Sequence, residues 1–191
     1  MNRNSRQHVS PSDTATRRQR TLASLTGLCS LALAAAAGTF AVNSSAADDA
    51  QTANASPLYG VTIPKGYRQW QLIAPAIEAE PLNELRVVLG NAKAIEAYDK
   101  ATLPFPDGTI LTKLAWKHVQ SPEFAAASVP GAATTVQVMV KDSKKYASTG
   151  GWGFGRFVNG MPVDLAQHQT CFACHQALVK NHDYVFTRLA R

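Results

Sequence analysis

Cysteine is scarce in this chain, with three in 191 residues: Cys29, Cys171 and Cys174. With no second Cys pair at short spacing, a cysteine-built zinc module is excluded. A disulfide between Cys171 and Cys174 would close too short a loop to stabilise much. Methionine is as rare: beyond Met1 there are only Met139 and Met161, and neither follows Cys174. No internal repeat is present. Surplus charge is lacking too, once the N-terminus is set aside. The formal +6 of the whole chain falls to +2 over residues 47–191, where nine lysines and five arginines face twelve acidic residues. A nucleic-acid partner therefore has no electrostatic footprint.

The N-terminal stretch accounts for the basicity. Arg17, Arg18 and Arg20 precede an uncharged Ala/Leu-rich run from Thr21 to Val42, and "SSAA" closes it at Ser44 to Ala47. Basic region, apolar run and small-residue site together predict a secretory signal over 1–47, cleaved near Ala46 or Ala47. An uncleaved membrane anchor is the alternative. Export to the periplasm is the expected destination. Residues 48–57 read as a flexible lead-in and 58–191 as one domain of adequate size for a core.

What the chain does have is "TCFACHQ" at Thr170 to Gln176. Cys-x-x-Cys-His is the attachment signature of a c-type haem: Cys171 and Cys174 bond the vinyl groups and His175 binds iron. A thioredoxin-like reading would want the motif after a strand at the start of a βαβ unit, not here. Sixteen residues follow His175, so a late methionine ligand, usual in electron-carrying cytochromes c, is impossible. Met139, Met161, His118, His168 and His182 remain, and none stands out. An open iron position points to ligand binding or catalysis rather than simple electron transfer.

The rest of the domain predicts an α+β fold, mainly antiparallel sheet with a few short helices and the haem-attachment motif near the C-terminus. Strands are expected over Gly66 to Ile73, Asn83 to Gly90, Thr109 to Lys117, Thr134 to Lys141 and Gly150 to Val158. A helix opens at Asn91, another surrounds the haem motif, and Ser121 to Ala133 reads as a loop. The glycines of "GGWGFGRFV" predict either close approach of something flat, a haem being one candidate, or a β-bulge. Alternation along the Thr109 strand groups Leu111, Lys113 and Ala115 on one face. By periodicity alone that face is solvent-exposed and Lys113 a surface charge.

"GYRQW", "NELR", "FPDGTILTK", "MVKDSKKYA", "GGWGFGRF", "CFACH" and "DYVFTR", in that order, resemble the cytochrome P-460 family, which also contains the cytochromes c′-β. The resemblance implies an antiparallel fold holding a five-coordinate haem. In the namesakes a lysine on the strand after the Asp-Gly turn is bonded to the macrocycle, and Lys113 matches it. Arg86 of "NELR" matches a pocket position, able to meet a propionate or a bound ligand. Arg188 is expected near the proximal side or a propionate, and Tyr67, Trp70, Trp152, Phe154 and Phe172 as pocket walls. The implied chemistry is oxidation of hydroxylamine or a related nitrogen species, with electrons passed to a soluble acceptor. Cytochromes c′-β bind nitric oxide instead, without the cross-link. A group to take protons is not evident; Glu123, Asp164 and His168 are the candidates. A homodimer is left open.

Overall fold

The computed structural model describes residues 54–191, so the signal segment, Cys29 and most of the lead-in lie outside the described residues. Six strands form one antiparallel sheet in strict sequence order: β1 (Gln71–Glu78), β2 (Glu84–Gly90), β3 (Ile110–Gln120), β4 (Ser128–Lys141), β5 (Trp152–Val158) and β6 (Met161–Pro162). Helix α1 (Ala92–Asp99) joins β2 to β3, and α2 (Leu165–Val179) follows β6. The fold class is α+β, as the strand and helix patterns predict. Among the described residues no helix is long and apolar enough to cross a membrane.

Local chemistry explains most boundaries. Asn91 caps α1 through its side-chain oxygen, which accepts from the Ala94 N–H at 3.0 Å and the Ile110 N–H at 3.2 Å. Its amide also donates to the Gly108 carbonyl at 2.9 Å, tying helix, turn and β3 together. The strand expected from Gly66 is corrected. Gly66 takes a left-handed conformation (φ 72°) and Tyr67–Gln69 form a 3-10 turn, so pairing begins only at Gln71 and runs to Glu78. Pro75 is tolerated because β1 is an edge strand.

The loop expected over Ser121 to Ala133 is half strand. Main-chain pairing carries β4 back to Ser128, opposite Gln120, with irregularities around Trp116. Small side chains hid this, because ladder bonds belong to the backbone. The tip closes where Gln120 Nε2 donates to the carbonyls of Phe124, Ala125 and Ala127.

Each sheet face has its own cover. Val61, Val138, Tyr146 and Phe157 form one buried cluster beneath the segment that precedes β1. The Ser56 hydroxyl clamps that segment by donating to the Phe154 carbonyl at 2.9 Å. On the opposite face, Ile73, Val88, Leu111, Trp152 and Phe154 pack with α1 and the C-terminal tail. The β5 glycines mark no bulge, and Gly155 lines the cavity described below. The β4–β5 register is unbroken, and the flat group at Gly153 is the Tyr146 ring, which a Cβ there would strike.

Candidate haem site

Asp164 caps α2 by accepting from the Gln167 N–H at 2.9 Å. Cys171, Cys174 and His175 lie at i, i+3 and i+4, so they share one side of the helix. His168 anchors that helix to the sheet and is fully buried. The Arg156 backbone N–H donates to its Nε2 at 3.1 Å, so Nδ1 carries the proton and donates to the Asp164 carbonyl at 2.9 Å. Both ring nitrogens are used.

His175 is arranged differently. Its Nδ1–H donates to the Tyr184 carbonyl at 2.7 Å, which leaves Nε2 for a metal. The ring stands edge-on between Phe154 and Phe186, at 5.0 and 4.9 Å. Burial pushes its pKa below the usual histidine value; the Tyr184 hydrogen bond opposes this, and the nearby Lys113 charge adds to the lowering. A neutral imidazole is the form that ligates iron. Cys171 and Cys174 form no disulfide, and burial raises the pKa of Cys171, with the Arg156 charge acting the other way.

These three residues form one wall of a cavity of about 480 Å³, within the range of small-molecule sites. The other wall is the sheet. The cross-strand row Val88, Lys113, Gln137 and Arg156 lies there in register, flanked on the same face by Arg86 and Met139. The face carrying Leu111 and Lys113 is therefore covered, not solvent-exposed as alternation alone predicted. Both faces of the sheet are packed, and periodicity cannot distinguish two buried faces.

Glu78 organises this wall. Its Oε1 accepts from Arg86 at 2.6 Å and its Oε2 from Lys113 Nζ at 2.9 Å. Glu84, directly opposite Glu78 in the β1–β2 register, also lines the cavity and is buried. Neither carboxylate was singled out by sequence reasoning. The signal was the alternation Ala74, Ala76, Glu78, hidden because β1 was expected to end at Ile73. Of the expected proton acceptors, Glu123 bonds Ser121, Asp164 caps α2 and His168 is saturated. None lines the cavity.

Arg86, Lys113, Cys171, Cys174 and His175 thus meet in one place, whereas Arg188 does not join them. It is exposed, and its guanidinium donates to the Val185 and Phe186 carbonyls of its own turn, at 2.9 and 3.0 Å. Met139 lines the cavity, while His182 bonds Val185, His118 bonds Asn83 and Met161 is exposed. Of the expected aromatic walls only Phe154 lines it. Phe172 packs behind against Tyr184, Trp152 sits in the core, and Tyr67 and Trp70 lie elsewhere.

A haem fits this donor set. The Nε–H groups of Arg86 and Arg156 are buried without a partner, and both arginines line the cavity. Two unpaired guanidinium donors call for anionic acceptors, which propionates supply. No curated protein matches the chain. A family model described as cytochrome P-460 matches residues 64–187, which include the whole sheet, α2 and the residues lining the cavity. The chain is a haem-binding member of the cytochrome P-460 family.

Proposed function

We propose that the protein is a periplasmic c-type haem enzyme that oxidises hydroxylamine or a related small nitrogen species and passes electrons to a soluble acceptor. The observation that carries this reading is the convergence of Lys113, Arg86 and Glu78 on one wall of the cavity whose other wall bears Cys171, Cys174 and His175. Cys171 and Cys174 would hold the macrocycle through thioethers, His175 would hold the iron through Nε2, and Arg86 and Arg156 would take the propionates or a bound ligand. Haem supplies the redox-active iron and the conjugated ring through which electrons leave.

The chain's own residues do the rest. N–H oxidation releases protons, and Glu78 is the cavity carboxylate whose two oxygens are already aimed by Arg86 and Lys113. Lys113 presents Nζ, the atom that the family's namesakes bond to the macrocycle. That bond would adjust the iron's potential by distorting the ring. A second reading draws on the ion pair itself. With Lys113 Nζ held by Glu78 at 2.9 Å and Val88, Leu111, Met139 and Phe154 lining the same space, the cavity suits capture of nitric oxide without turnover.

Mass spectrometry of haem-bearing peptides from the matured protein separates the two. Co-migration of the Lys113 peptide with "CFACH" on one haem supports the oxidase. Haem on Cys171 and Cys174 alone favours the gas binder. A Lys113→Ala variant is expected to keep its haem and iron ligand while losing hydroxylamine-dependent reduction of an acceptor. Unchanged turnover overturns the oxidase reading.

A further inference from the structure

The end of β4 and the tail after α2 are joined by an ion pair that the proposed chemistry does not use. Lys141 and Asp183 are both buried, with side chains 6% and 8% exposed. Lys141 Nζ donates to Asp183 Oδ1 at 2.8 Å, to Oδ2 at 2.9 Å and to the Gly150 carbonyl at 3.0 Å. It also stands 5.1 Å over the Trp152 ring. Asp183 Oδ2 accepts in addition from the Phe105 N–H at 2.8 Å.

Asp183 and Tyr184 are successive non-glycine residues in the left-handed region, at φ 47° and 63°. L side chains rarely adopt this conformation, so it persists only where the surroundings impose it. The ion pair fixes the first residue. The second is fixed by its ring, seated where a Cβ on Gly150 would collide, and by its N–H, which donates to the Val179 carbonyl at 3.0 Å. The outcome is one aimed carbonyl, Tyr184 O, on His175 Nδ1.

We propose that the buried Lys141–Asp183 pair is a positioning device for the iron ligand: it fixes the turn whose carbonyl holds His175, and so sets the imidazole's orientation and donor strength. The proposal rests on the haem reading above. Packing alone does not explain the pair, because apolar residues fill a core at least as well as a buried ion pair does. What the charges add is direction. A partner on the far nitrogen of a ligating histidine fixes its tautomer and raises its basicity.

The test uses the haem-loaded protein carrying Lys141→Met with Asp183→Asn. Asparagine tolerates the left-handed backbone and keeps an acceptor for Phe105. Resonance Raman of the ferrous state and the midpoint potential are read beside the thermal midpoint. A loosened Tyr184 carbonyl makes His175 a poorer donor. The iron–histidine stretch then falls and broadens, and the potential rises, because the ferric state loses support. Lys141→Arg, which keeps the pair, restores the parent values. A folded double variant with the parent's stretch and potential overturns the proposal. Should the double variant not fold, Asp183→Asn alone is judged by the same two readouts. A parent protein without any iron–histidine mode overturns the haem reading itself, and the proposal with it.

Discussion

Within the cavity, Glu78 engages Arg86 with one oxygen and Lys113 with the other, so its substitution touches three groups together. Glu78→Gln is expected to lower hydroxylamine-dependent acceptor reduction by about a hundredfold or more, the usual worth of a placed proton acceptor. The haem absorption spectrum should stay, since Cys171, Cys174 and His175 are untouched; steady-state turnover against that spectrum checks it. The sequence exposes these residues unequally. "CFACH" is legible because the proposed attachment chemistry demands adjacency along the chain. Lys113 and Arg86 could be reached only through the family resemblance. Glu78 was illegible because its role depends on cross-strand register, including the irregularity between Leu72 and Ala74. Arg188, reached through the same resemblance, stays outside the cavity lining and bonds the carbonyl of Phe186, the residue that packs on His175.

Helix α1 shows how much one element can rest on one side chain. Asn91 serves the Ala94 and Ile110 N–H groups and the Gly108 carbonyl together. Asn91→Ala should cost about 1–2 kcal/mol, the upper range for a lost cap, because a strand start is released with the helix. Urea unfolding of the two proteins measures the difference. The cap was legible since Asn before a run of helix formers is a local signal. Local signals also found most of β2 to β5. They failed where backbone alone decides: at the 3-10 turn after Gly66 and along the first residues of β4, whose Ala, Ser and Pro side chains say nothing of ladder bonds. The glycines of "GGWGFGRFV" were read for the right reason, close approach of a flat group, and the ring is Tyr184 at Gly150, Tyr146 at Gly153 and Phe157 at Gly155.

Across the whole molecule, the tail is tied back to α1 by Tyr98, whose hydroxyl donates to the Thr187 carbonyl at 3.1 Å. Burial pushes its pKa far above the ordinary tyrosine value, with the Arg188 charge pulling the other way. The unfolded chain therefore releases this proton first, near pH 10. The stability it contributes is complete below that pH and declines as pH rises toward the higher folded value. Thermal midpoints should fall above about pH 10, and fall less steeply in Tyr98→Phe. The two walls of the cavity differ in how they are held. The sheet wall is a continuous ladder, whereas α2 places His168 alone in full burial among its fifteen residues. In hydrogen-exchange terms the two walls are expected to open as separate cooperative units of unequal energy. Protein made without haem attachment should exchange the amides of α2 far ahead of those in β2 to β5, and attachment should bring the helix toward the sheet's protection. Equal protection of α2 with and without haem would contradict this. A bound haem would then be a second fastener of its own pocket: His168 pins the helix to the sheet near its start, and what the helix carries would pin it further along.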